Sequence, residues 1–208
     1  MEPRIKFPRT FHFPFSEGVA SDDKIIRDYS ELEGKEIVVT VKMDGENTTM
    51  YRDGLHARSI DSRHHESRNW VKGFHSMIQR MIPEGHRICG ENLYAEHSIH
   101  YDHLRSYFYG FSAWNGSTCL SWDDTMRLFD HIGVHPVPVI FRGIFSEDGI
   151  KKIVNSLNIN QTEGVVVRLA ESFDISEYGT KVAKWVRRGH VQTDEHWMQR
   201  EIKKNGRG

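Results

Sequence analysis

The fold is decided by one stretch of the sequence, Glu36-Ile37-Val38-Val39-Thr40-Val41-Lys42-Met43-Asp44-Gly45. Its β-branched run predicts a strand over residues 36–42, and Asp-Gly is a common turn dipeptide. Two more strands, over residues 48–52 and 55–60, follow on either side of a second Asp-Gly turn. We therefore expect an antiparallel meander in which Lys42 ends the first strand and projects into the cleft that the sheet lines.

The rest of the chain alternates between strand and helix patterns. The spacing of apolar residues predicts helices over 67–82, 123–132 and 147–157, and a helical tail over 192–203. Strands are predicted over 87–94, 107–114, 137–142, 164–169 and 181–186. Antiparallel strand groups with helices around them indicate an α+β fold.

The composition is that of a globular protein. The 208 residues suit one domain, with 38% apolar and 27% charged residues and a net charge of −1. The protein as a whole is therefore not basic, so any attraction for nucleic acid must come from local clusters of Lys and Arg. Two cysteines without zinc-type spacing, no signal peptide and no long apolar run lead us to expect a cytoplasmic location.

Lys42-Met43-Asp44-Gly45 is weak evidence of chemistry when taken alone, because a hairpin with a solvated lysine would give the same string. Further polar and aromatic positions follow it in order, namely Asn47, Arg58, Glu91, Phe111, Glu163 and Lys184. Together they resemble the motif series of the covalent nucleotidyltransferase superfamily of polynucleotide ligases and capping enzymes. Within it the sequence is most similar to ATP-dependent RNA ligases, specifically the RNA ligase 2 group and its short relatives, over residues 35–188.

The resemblance implies a nucleotidyltransferase domain with an ATP-grasp-like arrangement of antiparallel sheets flanked by helices. It would occupy residues 1–208 as a single domain, with an N-terminal arm over 1–34, a catalytic core over 35–188 and a C-terminal tail helix over 189–208. The chain stops about 20 residues after the last motif, so we expect a core with a short tail and no second domain.

The resemblance also implies roles for single residues. Lys42 would attack the α-phosphate of ATP to form a lysyl-adenylate, Glu163 would hold Mg²⁺ or Mn²⁺, and Lys184 would reach the α-phosphate. The other implied contacts to ATP or AMP are Val41, Asn47, Arg58, Glu91 and Phe111, with Phe111 stacking on adenine and Glu91 accepting a hydrogen bond from the ribose.

Elementary chemistry agrees with these residue types. A free lysine titrates near pH ~10.4, so only about one in a thousand is a neutral nucleophile at pH 7. Lowering that pKa by roughly three units amounts to about 4 kcal/mol, which a nearby metal and further cations can supply.

Several assignments stay open at this point. Lys181 and Arg187 compete as the second cation beside Lys184, and Arg58 competes with Arg63 for the place near the sugar. Weaker candidates for contacts to RNA are Arg63, Lys181, Arg187 and Arg188. His97, His100 and His103 are spaced by three, but no cysteine accompanies them, so a loop is favoured over a zinc site.

The function implied is joining of 5′-phosphate and 3′-hydroxyl RNA ends through lysyl-adenylate and RNA-adenylate intermediates. The partners would be RNA ends, nicked or single-stranded, with no membrane and no obligate protein partner. The alternatives are a DNA ligase or an RNA-capping guanylyltransferase of the same superfamily, and a non-catalytic binder of nucleotide or nucleic acid.

Overall fold

A computed structural model describes residues 3–159, 161–189 and 201–208. In these ranges no helix has the length and the apolar character that crossing a membrane would require.

Runs of one to three strands are separated by helices along the described chain. The strands are β1 (Phe11–His12), β2 (Glu36–Lys42), β3 (Glu46–Tyr51), β4 (Gly54–Ala57), β5 (His86–Asn92), β6 (Phe108–Asn115), β7 (Thr118–Cys119), β8 (His135–Pro136), β9 (Val139–Ile144), β10 (Gly164–Leu169), β11 (Phe173–Asp174) and β12 (Val182–Val186). The helices are α1 (Asn69–Ile78), α2 (Trp122–Ile132), α3 (Glu147–Asn155) and the single turn α4 (Tyr178–Lys181).

Two sheets organise these strands. The first has the order β1-β12-β10-β2-β9, and among the described strands its only parallel pair joins β1 to β12. The second has the order β11-β7-β6-β5-β3-β4, with β8 added beside β6. The α+β class predicted from the sequence is confirmed.

The predicted meander is wrong, because β2 does not pair with β3. Strand β2 lies between β10 and β9 in the first sheet, whereas β3 pairs with β4 and β5 in the second. The turn at Asp44-Gly45 therefore carries the chain from one sheet to the other. A Cβ on Gly45 would lie 2.5 Å from the carbonyl oxygen of Asn92, so only glycine permits this close passage beside the end of β5.

Other element boundaries differ from the prediction by a few residues. Strand β4 ends at Ala57 and not at residue 60, and α1 covers Asn69–Ile78 before a 3₁₀ turn continues to Met81. Of the predicted tail helix, residues 190–200 lie outside the described ones. Residues 201–208 are not helical, because Asn205 and Gly206 donate backbone hydrogen bonds to the segment around Tyr94 and Tyr101.

Alternating side chains give each sheet its two faces. In the first sheet, one face packs into a core with Ile37, Val39, Val165, Val167 and Trp185. Helices α1 and α2 cover the outer face of the second sheet through a separate cluster of buried residues: Met50, Val71, Ile78, Ile88, Phe108, Ala113, Phe129 and Ile132. The remaining inner faces of the two sheets are left to line a space between them.

The register of the first sheet places the two candidate lysines on one face. Lys42 of β2 lies opposite Gly164 of β10, and Lys184 of β12 lies opposite Val166 of β10. Because Gly164 and Val166 are two residues apart, their partners point to the same side of the sheet. Gly164 itself passes so close to β12 that a Cβ there would lie 2.0 Å from the carbonyl oxygen of Trp185.

We expect Gly164→Ala to destabilise the protein by about 1–3 kcal/mol, because the added methyl group forces β10 away from the β12 backbone. Gly73→Ala is the matched control: it lies in helix α1 with no atom within 4 Å of the added Cβ, and it should stabilise by about 0.5–1 kcal/mol. Chemical denaturation of both variants measures this, and equal stability of Gly164→Ala and wild type would contradict the described register.

Candidate active site

A cavity of about 880 Å³ lies between the two sheets. Strands β2, β10 and β12 supply one wall, β3, β5 and β6 supply the other, and the N-terminal arm and the segment after β4 close the sides. The lining residues are Phe7, Pro8, Arg9, Thr10, Asp22, Asp23, Thr40, Val41, Lys42, Met43, Gly45, Glu46, Asn47, Ala57, Arg58, Ser59, Ser62, Arg63, His64, His65, Arg68, Glu91, Phe111, Ser112, Cys119, Val137, Val166, Arg168, Phe173, Tyr178, Val182 and Lys184.

An ion pair joins Lys42 to Glu163 at the end of this cavity. The Lys42 Nζ atom lies 2.5 Å from Glu163 Oε2, and the two side chains are 26% and 8% exposed. Burial lowers the pKa of Lys42, but the carboxylates of Glu163 and Glu91 outweigh it and hold this pKa above its usual range. Without a ligand, therefore, the Lys42 amine is protonated and is not a nucleophile.

Glu91 faces the same cluster from the second sheet. Burial raises its pKa to about 8; Lys42 opposes the rise, and Glu163 and Asp44 add to it. Below this pH Glu91 is protonated in the ligand-free protein, and a bound cation would favour its ionised form.

Lys184 approaches the cluster from β12. Burial and the neighbouring charge of Lys42 lower the pKa of Lys184, while Asp23 of the arm opposes the shift. The Lys184 Nζ atom lies 3.7 Å from Asp23 Oδ1, and His12 Nε2 lies 3.1 Å from the other oxygen of the same carboxylate. The arm therefore contributes a charged group to the site, a role that the sequence alone did not suggest.

An aromatic wall lies across the cavity from the charges. Phe111 is partly buried, and its ring meets that of Phe7 edge to face at a centroid distance of 5.3 Å. Phe7 also packs edge to face against Tyr178 at 5.6 Å. Phe111 and Phe7 thus border the cavity as well as the core, and the predicted stacking of Phe111 on a base stays a prediction.

Asn47 and its neighbour Glu46 lie on the opposite wall. The Oδ1 atom of Asn47 is buried and has no hydrogen-bond partner among the described residues, as expected of a group that waits for a ligand. Glu46 accepts two hydrogen bonds from the Arg68 guanidinium, one of them from Nε to Oε2 at 2.7 Å. Both side chains are almost fully buried. Arg68 therefore fixes the β3 end and is not available to substrate phosphate.

The exposed arginines Arg58 and Arg63 both line the cavity. Both arginines therefore stay candidates for the contact to the nucleotide sugar. Val41, the remaining residue that was predicted to contact ATP, also lines the cavity beside Lys42.

The structure does not bring the other predicted cations to the cavity. Lys181 is buried and pairs with Glu31 and, at 3.8 Å, with Glu177, so its proposed contact to RNA is not supported. Arg187 turns its guanidinium toward the carbonyl oxygens of Arg188 and Gly189, at 3.4 and 3.3 Å. Neither Lys181 nor Arg187 lines the cavity among the described residues, whereas the exposed Arg58 does, and its charge acts on Lys184.

A tether that sequence reasoning missed supports the turn after Lys42. The Asp44 backbone N–H donates to the Tyr101 hydroxyl at 2.9 Å, and the Asp44 carboxylate accepts from the Ser98 and Ile99 backbone N–H groups at 2.7 and 2.9 Å. The buried Asn205 in turn accepts from the Tyr101 backbone N–H at 2.9 Å. Since 104 residues separate Tyr101 from Asn205, no local pattern could have indicated this contact.

No metal site is assembled from the histidine-rich loop. Within the described ranges no group of three or more His, Cys, Asp or Glu side chains is placed to hold a metal ion. His100 instead contacts Glu96 and Asp102. Glu163 and Glu91 are the carboxylates whose charges act most strongly on Lys42, and Mg²⁺ is commonly held by one or two carboxylates together with substrate phosphates and water.

Comparison with known families identifies the family of this chain. The sequence model of the RNA ligase family matches residues 35–186. The chain belongs to the RNA ligase family. The motif series thereby receives independent support, while the narrower resemblance to the RNA ligase 2 group stays a prediction.

Solved structures share the fold. An RNA ligase from Naegleria gruberi, as a mutant with ATP and Mn, is 18% identical with a TM-score of 0.53 over 92% of this chain and 63% of its own. The same ligase as a mutant with AMP and Mn (18% identity, TM-score 0.54, 89% and 59%) and with PPi (18%, 0.51, 89% and 61%) also matches. This chain thus spans about three fifths of the length of these structures. A search of curated proteins finds no match.

We expect Asn205→Ala to loosen the turn after Lys42, because it leaves buried partners unpaired at a cost of about 1–3 kcal/mol. Amide hydrogen exchange should quicken both at 94–101 and at 43–46, whereas Tyr101→Phe should quicken it at 43–46 alone. The exposed Asn155→Ala is the control. Unchanged exchange at 43–46 in Asn205→Ala would contradict the tether.

The raised pKa of Glu91 predicts a pH-dependent stability. A carboxyl group with a folded-state pKa of about 8 and an unfolded value near 4.5 favours the folded state below pH 4.5, and this contribution is lost as the pH rises to about 8. We expect Glu91→Gln to melt higher than wild type at pH 8 and to gain less at pH 5. Thermal melts of the ligand-free protein across this range test it, and a constant difference between the two proteins would refute the shift.

Proposed function

We propose that this chain is an ATP-dependent RNA ligase that joins 5′-phosphate and 3′-hydroxyl ends through a lysyl-adenylate on Lys42. The observation that carries the proposal is the position of Lys42: it ends a central strand, borders a cavity large enough for a nucleotide, and faces Glu163 at 2.5 Å with Lys184 on the same sheet face. Membership of the RNA ligase family supports the same activity.

In the first step the neutral Lys42 amine attacks the α-phosphorus of ATP. An N–P bond forms, the bond to the β-phosphate oxygen breaks, pyrophosphate leaves, and the amine loses a proton to water. The Glu163 carboxylate holds the amine in place through its hydrogen bond, and Lys184 lies where it would neutralise charge that develops on the α-phosphate.

In the second step an RNA 5′-phosphate oxygen attacks the lysyl-bound phosphorus, which restores the Lys42 amine and yields RNA-adenylate. In the third step the 3′-hydroxyl of the other end attacks the 5′-phosphate, and AMP leaves. Splitting one activation into reversible displacements is the advantage of a covalent intermediate.

The nucleotide would lie between the two sheets. Phe111 would stack on the adenine, Glu91 would accept a hydrogen bond from the ribose, and Asn47 has an unpartnered oxygen for the phosphates or for water around them. Val41 and Arg58 complete the proposed contacts.

Glu163 and Glu91 would supply oxygen ligands for Mg²⁺ or Mn²⁺, and the cation would favour the ionised form of Glu91. When bound, such a cation neutralises phosphate charge and lowers the pKa of a neighbouring lysine. The related Naegleria gruberi ligase has been solved with ATP and Mn, which supports the same pair of ligands here.

The alternatives in the same superfamily differ in substrate. A capping guanylyltransferase would prefer GTP, and a DNA ligase would seal DNA. A non-catalytic binder would have no need of Lys42 paired to Glu163 in the cavity.

Two buried free thiols, Cys89 and Cys119, fit a reducing compartment such as the cytoplasm.

Lys42→Ala should abolish transfer of label from α-phosphate-labelled ATP to the protein, and Lys42→Arg should be equally inactive because a guanidinium stays protonated. The exposed Lys35→Arg is the control and should label like wild type. Labelled GTP should give no covalent adduct with any of these three variants. Labelling of Lys42→Ala would contradict the lysyl-adenylate mechanism. If the protein is labelled more strongly by GTP than by ATP, the capping alternative is favoured.

Selection of RNA must rest on the 2′-hydroxyl or on A-form shape near the reacting end, since backbone charge is common to RNA and DNA. We expect the strand that supplies the 3′-hydroxyl to need ribose at its last positions, while the 5′-phosphate strand tolerates deoxyribose. Sealing of chimeric substrates with ribose at one position at a time measures this. Equal sealing of all-DNA and all-RNA substrates would move the protein to the DNA ligase alternative.

A further inference from the structure

Asp23 is a charged group of the cavity wall that the proposed adenylation steps do not use. It belongs to the N-terminal arm and lines the cavity together with Lys184 of β12. The Asp23 Oδ1 atom lies 3.7 Å from the Lys184 Nζ atom, and the two side chains are 20% and 19% exposed. An anion beside the proposed place of the ATP phosphates repels them, so Asp23 must serve something other than nucleotide binding.

The carboxylate of Asp23 is held by its second oxygen. Its Oδ2 atom accepts a hydrogen bond from the Ala20 backbone N–H at 3.0 Å and lies 3.1 Å from Nε2 of His12. His12 is buried, with 1% of its side chain exposed, and its Nδ1 atom is hydrogen-bonded to Ser16 Oγ at 2.8 Å. The arm therefore fixes one oxygen of Asp23, while the other faces Lys184.

Backbone pairing fixes the same part of the arm to β12. His12 lies directly opposite Lys184 in the parallel pair of β1 with β12. The His12 backbone N–H donates to the Lys24 carbonyl oxygen at 2.8 Å, and the Ile26 backbone N–H donates to the His12 carbonyl oxygen at 2.8 Å. The residues that follow Asp23 are thus tied to β1, and β1 is tied to the strand that carries Lys184.

The electrostatics of the two groups support each other. Burial raises the pKa of Asp23, but the Ala20 N–H and nearby positive charges, that of Lys184 first, outweigh it and hold this pKa below its usual range. Burial and the charge of Lys42 lower the pKa of Lys184, and Asp23 is the strongest of the groups that oppose this lowering. Asp23 therefore favours the charged ammonium form of Lys184.

We propose that Asp23 is a positioning residue, which holds the Lys184 ammonium on the cavity wall ready for the α-phosphate of ATP. A lysine side chain has several rotatable bonds, and fixing it before ATP binds removes an entropic cost from the adenylation barrier. The 3.7 Å separation is longer than a hydrogen bond, and an ammonium group has three N–H donors, so Lys184 can contact a phosphate oxygen while it stays beside Asp23. The proposal rests on the ligase function proposed above and adds the residue through which the arm acts on the reaction.

The test is single-turnover transfer of label from α-phosphate-labelled ATP to the full chain over a range of ATP concentrations. Asp23→Asn keeps the shape of the side chain and removes its charge. We expect it to lower the limiting rate by about ten- to a hundredfold, the usual cost of a misplaced group. The half-saturating ATP concentration should stay equal or fall, because an anion beside the phosphates is removed.

Two further variants serve as controls. Asp23→Glu restores the negative charge and should recover part of the rate. Asp28 is an exposed residue of the same arm that does not line the cavity, and Asp28→Asn should react like wild type. A limiting rate of Asp23→Asn equal to that of wild type would overturn the proposal. A lower rate with a higher half-saturating ATP concentration would assign Asp23 to ATP binding or to the fold, and would overturn it as well.

A second measurement does not depend on ligase activity. Acetic anhydride acetylates neutral amines, and peptide mass spectrometry measures the rate at Lys184 in the ligand-free protein, relative to the exposed Lys35. We expect Asp23→Asn to speed acetylation of Lys184 by up to about tenfold, since one pKa unit is a tenfold change in the neutral fraction. Unchanged acetylation of Lys184 would overturn the proposal. If the wild type transfers no AMP to Lys42, the ligase function is refuted, yet acetylation still decides whether Asp23 holds Lys184.

Discussion

The ion pair between Lys42 and Glu163 is the interaction on which the rest of the site depends. It exists because Lys42 ends β2 directly opposite Gly164, which places the preceding Glu163 beside the lysine. Glycine at position 164 permits the close approach of β12, and β12 brings Lys184 to the same face. One register thus positions Lys42, its ion-pair partner Glu163 and the second lysine, Lys184.

The carboxylates around this pair also govern its protonation. Three carboxylates, Glu163, Glu91 and Asp44, act on Lys42 and keep its amine protonated, while Asp23 of the arm faces Lys184. Phosphates would draw Lys184 toward the nucleotide, and a divalent cation would satisfy the carboxylates. On the proposed mechanism, nucleotide and metal would therefore bind together before Lys42 can react.

The sequence was informative where structure is local and less so where distant segments meet. Strand β2 and the position of Lys42 at its end were predicted correctly, because β-branched residues and a turn dipeptide act over a few residues. An Asp-Gly turn is the same in a hairpin and in a crossing between sheets, so the separation of β2 from β3 could not be foreseen. Lys181 was expected at the RNA and instead pairs with Glu31, and the Tyr101–Asn205 contact left no sequence signal.

The central claim is that AMP becomes covalently attached to Lys42. Mass spectrometry of the protein after incubation with ATP and Mg²⁺, followed by peptide mapping, tests it most directly. The account predicts a mass increase of one AMP group, located on the peptide that contains Lys42 and removed by addition of pyrophosphate. An adduct on another lysine, or nucleotide that is bound without a covalent bond, would contradict it.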